Sequence, residues 1–458
     1  MPRWIVAYGF MALLIITTFS PWRGLAQLLP FFAAPAVLVL FPTSLRQPTR
    51  YAVIVSAMFG VSLLSGVFNA TPVVNYGMGL VTWFGGFATL FLAYGLGHYV
   101  ELRPLVKLLL WVALIQVPIG LLQVFAHVGF ELADPFEVYG AAGDYFGGTL
   151  LLSGKNSHIV GLKIAMSMVL AWLALRHVYR WGRLRQAAVI VLLIIGWVTP
   201  SAIHSFVAFV AALVGFSALS VRRIRTPLRA AALTSVAVLF LVYTQPDAVH
   251  YAKNLIGQSL VITSATHGKV AALHHTLYDL PGDAPAAPLI GLGLGRYSSF
   301  AALLLTGEFL TSTPSFLPVS YSPETASYIL PYWNRALLES DVWAHGVVNQ
   351  PFFTYMSLYG ELGTLGLTLF ALFWAVVIRD LLRARTTFAD PLQVAIANAL
   401  LLTSLFLICL FFFDNWFEDA RLTVPYFALL GVVLKAQTRS VIPSATASAL
   451  TPSPSLGP

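Results

Sequence analysis

The chain has 458 residues, of which 58% are hydrophobic and only 10% charged, and its mean hydropathy is +0.80. Soluble chains carry roughly 25% charged residues, so a soluble globular protein is excluded and the composition suits hydrocarbon as the surrounding solvent. The net charge of +8 must therefore be sorted by side of a membrane before it is read as affinity for an acidic partner.

A spanning helix needs about 20 mostly apolar residues, because the hydrocarbon core is about 30 Å thick and each residue rises about 1.5 Å. The sequence predicts twelve spans, at about 4–20, 24–42, 51–69, 76–99, 104–130, 157–177, 187–200, 202–220, 229–245, 354–378, 391–413 and 420–436. The first follows Met1-Pro2-Arg3 and runs at once into the second with no small-residue cleavage site, so it reads as a retained anchor. Residues 187–220 form one apolar block divided only at Thr199-Pro200-Ser201, where the proline disfavours continued helix. The single cysteine, Cys409, sits inside the run LLLTSLFLICLFFF, which excludes an intramolecular disulfide.

The expected fold is thus an all-α polytopic integral membrane protein of about 12 transmembrane helices with one large periplasmic loop containing short helices. Five spans occupy 1–130. Spans six to nine occupy 131–245 behind a periplasmic loop at 131–155, the large loop occupies 246–353, and three more spans occupy 354–436. The Ser/Pro/Thr/Ala-rich tail, 437–458, is expected to be cytoplasmic and disordered. Within the large loop, His267 to Leu280 and Pro323 to Leu338 are expected to be helical.

Charge orients this layout, since Lys and Arg accumulate on the cytoplasmic side. With the N terminus inside, the inner segments hold 18 of the 26 basic residues against three acids, a net of +15, and the outer segments hold 8 basic against 15 acidic residues, a net of −7. The basic excess is an orientation signal, and nucleic-acid binding has little left to explain.

Several segments carry chemistry-bearing residues. GLGLGRYSS (Gly291 to Ser299) has GxGxG rather than dinucleotide spacing and no βαβ unit around it. It is either a backbone that approaches a ligand closely beside Arg296 or a turn entering a surface helix. Lys155, His158 and Lys163 fall at the outer end of the sixth span, and His204 opens the eighth. They read either as snorkelling and satisfied polar groups or as an electropositive pocket for a phosphate or diphosphate, reinforced by helix N-termini. DVWAHGVVNQPFFTYMSLYGELGTLGL brings together His345, Asn349 and Glu361 on the way into the tenth span, and a histidine is suited to taking a proton from a hydroxyl near neutral pH. No metal-ligand spacing is evident: His274 and His275 are adjacent, and HExxH, DxD, GxSxG and P-loop patterns are absent.

Four stretches, taken in order, resemble the O-antigen ligase and polymerase superfamily of bacterial envelope glycosyltransferases: GGTLLLSGKNSHIVGLKIAMSMVLAWLAL, WVTPSAIHSFVAFVAALVGF, LYDLPGDAPAAPLIGLGLGRYSSFAALL and HGVVNQPFFTYMSLYGELGTLGLTLF. The likeness covers about residues 145–380. It implies transfer of a glycan from an undecaprenyl-diphosphate carrier to a sugar hydroxyl on a glycan or lipid acceptor, at the periplasmic face of the bacterial inner membrane. No cofactor and no metal is implied. His345 and Arg296 would be catalytic, Lys155, His158, Lys163 and His204 would bind the diphosphate, and Asn349 and Glu361 would support them. The acidic stretch Glu131 to Asp144 would repel a phosphate-rich acceptor, which tilts the reading from ligase towards polymerase. A twelve-span secondary transporter and a non-catalytic envelope scaffold are the rival readings.

Overall fold

The computed structural model describes residues 3–19, 23–40, 49–126, 146–150, 154–200, 203–219, 268–308, 318–334, 336–337 and 350–441. Among them there is no strand, and helices account for the long elements. That is the outcome apolar sequence dictates, because a helix satisfies its backbone hydrogen bonds internally where no water is at hand.

The long helices are α1 (Arg3–Phe19), α2 (Arg23–Leu40), α3 (Thr49–Phe68), α4 (Val73–Leu96), α5 (Leu102–Ala126), α6 (Gly154–Val178), α7 (Arg183–Val198) and α8 (Ile203–Leu219). After these come short elements: α9 (Gly268–His274), a π turn (His275–Asp279), α10 (Leu280–Asp283), α11 (Ala287–Ile290), α12 (Phe300–Leu305) and α13 (Pro323–Tyr328). Three long helices close the chain: α14 (Thr354–Thr387), α15 (Pro391–Leu410) and α16 (Ala420–Val441). Helices thus stand at eleven of the expected spans, the ninth lies outside the described residues, and the chain does break at Pro200 between α7 and α8. Six of the helices are long and apolar enough to cross a membrane, namely α3, α4, α5, α6, α14 and α15. Their outer faces expose large apolar side chains, Val67 at 81%, Phe125 at 79% and Leu122 at 68%, a surface that only lipid would cover without cost. Among the described residues the protein is all-helical, with six helices of the length and composition of a membrane-embedded chain.

Helix α4 is the central post. Small residues let α16 press against it: Gly431 faces Ala93, and Gly86 lies under the ring of Phe427, the close approach that association in lipid exploits. Around them a cluster of rings fills the core, with Phe87 4.8 Å from Phe373, 5.3 Å from Phe417, and Phe370 4.9 Å from Phe417.

The bundle has two unlike ends. At one, basic residues begin or finish helices: Arg50 of α3 pairs with Asp380 of α14 at 3.0 Å, Arg103 of α5 donates to the His177 carbonyl of α6, and Arg385 of α14 lies over the Phe216 ring of α8. At the other end lie the first turns of α4, α6, α8, α14 and α16 and the short elements between α8 and α14. Those short elements have a core of their own, built on Leu280, Tyr297, Phe300, Leu303, Ile329 and Trp333. The expected helix over 267–280 is present but changes to π geometry at His275. The one expected over 323–338 stops at Tyr328, after a Ser322 cap that accepts from Thr325 N.

Candidate functional site

The GLGLG segment is held by protein on all sides. Its glycines take φ of +76° (Gly291), +99° (Gly293) and +69° (Gly295), the region only glycine enters freely. A Cβ would fall 2.1 Å from the Glu361 backbone at Gly291, 2.1 Å from Thr71 Oγ1 at Gly293 and 2.3 Å from the Asn75 carbonyl at Gly295. The close approach that alternate glycines announce is therefore to α4 and α14.

Glu361 is what the segment wraps around. Its side chain is fully buried; Oε2 accepts from Trp83 Nε1 at 3.0 Å and Gly295 N at 2.9 Å, and Oε1 from Tyr297 N at 3.2 Å and Ser299 N at 3.4 Å. Leu292 N and Gly293 N donate to the carbonyls of Gly360 and Glu361 at 2.8 and 3.1 Å. A regular helix would commit those carbonyls to residues 364 and 365, but α14 is broken at Gly363, whose φ is +66°.

Arg296 projects from the middle of this frame. Its Nη1 donates to the Asn69 carbonyl at 2.9 Å, just beyond the C-terminus of α3, where the helix dipole favours a cation. It is half-buried and pairs with no carboxylate among the described residues. The next residue, Tyr297, is buried with its hydroxyl 2.5 Å from Thr276 Oγ1, and burial pushes its phenol well above the ordinary range.

A second group forms where α6, α8 and α16 begin. The rings of His158 and His204 are 5.5 Å apart, and His204 stacks on Trp416 at 5.8 Å and 14°. Lys163 is buried one turn further into α6, its Nζ donating to the Thr18 carbonyl at 2.6 Å. It lines a small cavity of about 60 Å³ with Thr18, Gln116, Met166, Tyr426 and leucines from several helices. Lys155 is in the first turn of α6, and His345 and Asn349 lie outside the described residues.

The two groups are joined by the turn between α15 and α16, which sequence reading passed over as a short connection. Asp414, Asn415, Glu418, Asp419 and Arg421 are all buried there. Asn415 Nδ2 donates to the Ser298 carbonyl at 2.7 Å, Glu418 Oε2 accepts from Phe300 N at 2.9 Å, and Arg421 pairs with Asp419 at 3.0 Å. The signal was available: DNWFEDAR puts five polar or charged residues into eight positions between two apolar runs. The structure thus anchors the main chain on either side of Arg296 to Glu361, and brings His158 together with His204. Arg296 makes no hydrogen bond or ion pair with the histidine group.

The chain matches no protein-family profile and no curated protein sequence.

Proposed function

We propose that this chain is a membrane glycosyltransferase of the O-antigen ligase and polymerase type. It moves a glycan from undecaprenyl diphosphate to a sugar hydroxyl on the outer face of the bacterial cytoplasmic membrane, within a frame of twelve spans. The observation that carries the reading is Arg296: a guanidinium fixed by one main-chain carbonyl, with no carboxylate partner among the described residues, at the end of the bundle where short elements roof the helices. A diphosphate leaving group needs such a cation, because charge grows on its oxygens as the glycosidic bond breaks, and a preorganised donor stabilises that charge without reorganising. His158 and His204, at helix N-termini, support a second anionic contact. The cavity beside Lys163 is lined mainly by apolar side chains, chemistry that suits contact with a polyprenyl chain. Glu361 positions Arg296 through the main chain on either side of it. His345 is assigned to the attacking hydroxyl on the sequence resemblance, and the acidic Glu131 to Asp144 stretch favours polymerisation over ligation.

The test is purified protein in proteoliposomes with one lipid-linked repeat unit and no other acceptor. A ladder of longer lipid-linked glycans is expected, reduced about a hundredfold or more by Arg296→Ala while membrane insertion is unchanged. Product only on addition of a separate acceptor makes the enzyme a ligase. Substrate movement across the bilayer without covalent product replaces transfer with transport.

A further inference from the structure

The π turn gathers three metal-ligating side chains that their spacing in sequence keeps apart. In an α-helix His275 and Asp279 share a face at i,i+4, while His274, five residues before the aspartate, points elsewhere. Here the backbone bonds run i to i+5, Leu280 N donating to the His275 carbonyl, and this wider turn swings His274 onto the same face. Asp279 Oδ2 then lies 2.6 Å from His275 Nδ1 and 4.0 Å from His274 Nδ1. One ligand atom from each of the three residues falls within 4.8 Å of the others. Turns of this kind are rare and recur at functional positions.

We propose that His274, His275 and Asp279 form a binding site for one divalent transition-metal ion of the zinc class. Two imidazoles and one carboxylate match the preference of such ions for nitrogen with some oxygen. Bonds of about 2.1 Å to a tetrahedral ion place ligand atoms about 3.4 Å apart, so the pair at 2.6 Å opens slightly and the pair at 4.0 Å closes slightly. The surroundings hold the rings as metal sites require. His275 is stacked on Tyr328 at 5.1 Å and 8°, and its Nε2 faces the Tyr332 hydroxyl at 3.4 Å, the partner on the far nitrogen that fixes a ligating imidazole. Tyr328 in turn donates to Asp283 on α10, and His274 packs on Tyr278 at 4.8 Å. All three ligands reach solvent, with side-chain exposures of 53%, 31% and 47%, so an ion has an entry path and keeps a position for water. The ion would tie the end of α9 to the π turn that follows it. It takes no part in the glycan chemistry proposed above and stands independently of it.

The experiment is isothermal titration of ZnCl2 into the full chain in detergent with its affinity tag removed, repeated with Co²⁺ to read the ligand-field spectrum. One ion per chain is expected, bound at least about tenfold more weakly by His275→Ala and by Asp279→Asn, with helicity unchanged by circular dichroism. Tyr332→Phe keeps the stoichiometry and loses about tenfold in affinity. Zn²⁺ binding by the His274→Ala/His275→Ala/Asp279→Asn variant that equals that of the unaltered chain overturns the site, as does the absence of binding. In either case the three residues are a hydrogen-bonded surface cluster only.

Discussion

A carboxylate inside a helical bundle is tolerated only when its oxygens are filled, and at Glu361 an indole and three main-chain N–H groups fill them. Glu361→Ala strands four donors in a dry interior, which costs on the order of 3 kcal/mol or more, and is expected to lower the melting temperature in detergent by several degrees. Glu361→Gln keeps one acceptor but turns an amide NH2 onto two of the donors, so it too is destabilising, by less. The glycines around it differ sharply. Gly295→Ala combines a left-handed φ with a Cβ 2.3 Å from the Asn75 carbonyl, for a loss of about 2–4 kcal/mol, whereas Gly282→Ala meets nothing within 4 Å and leaves the melting temperature within a degree or two of the parent. Equal effects from the two alanines would mean that the GLGLG segment is not packed as described. Tyr328 adds a chemical reading at the same scale: its hydrogen bond to the Asp283 carboxylate pushes its phenol up to about 12, so the hydroxyl remains a donor at any pH the protein meets.

Among the elements, α14 is the one whose irregularity does work for the rest. The break at Gly363 frees the carbonyls that receive Leu292 and Gly293 and admits α11, whose Leu289 would lie 2.3 Å from a Cβ at Gly363. Gly363→Ala is therefore expected to loosen α11 and the glycine segment while sparing the helices: limited proteolysis should cut within 284–299 in the variant and not in the parent, with helicity unchanged. What the sequence disclosed follows the same division. Helix positions were readable because hydropathy alone demands them in lipid, and the Pro200 break because a proline has no N–H to give. The break in α14 and the partners of Glu418 and Asn415 were not readable, because each depends on residues 289–300 far away in sequence. Glu361 was singled out for its charge, yet the donors that define it come from Trp83 and from residues 295–299. The GLGLG spacing announced a close approach but not what was approached.

At the scale of the molecule, the basic end and the end carrying Arg296, His158 and His204 are opposite ends of the same helices. α3 carries Arg50 in its first turn and finishes beside Asn69, which receives Arg296. α6 carries His158 near its start and finishes where Arg103 meets the His177 carbonyl. This separation turns the charge count into a statement about sidedness, because moving loops rich in Lys and Arg across the membrane is what insertion resists, and the twelve-span layout expected from the sequence assigns 18 of the 26 basic residues to inner segments. The end with Arg296 is then expected to face outward, the side on which a lipid-linked glycan must be met if the proposed reaction holds. The native Cys409 is half-buried, so a Cys409→Ser background leaves single introduced cysteines as reporters. In intact spheroplasts Gly282→Cys should react with a membrane-impermeant maleimide, and Arg225→Cys should react only after permeabilisation. Labelling of neither without permeabilisation, or the reverse pattern, would place Arg296 on the cytoplasmic side and remove the lipid-linked donor from its reach.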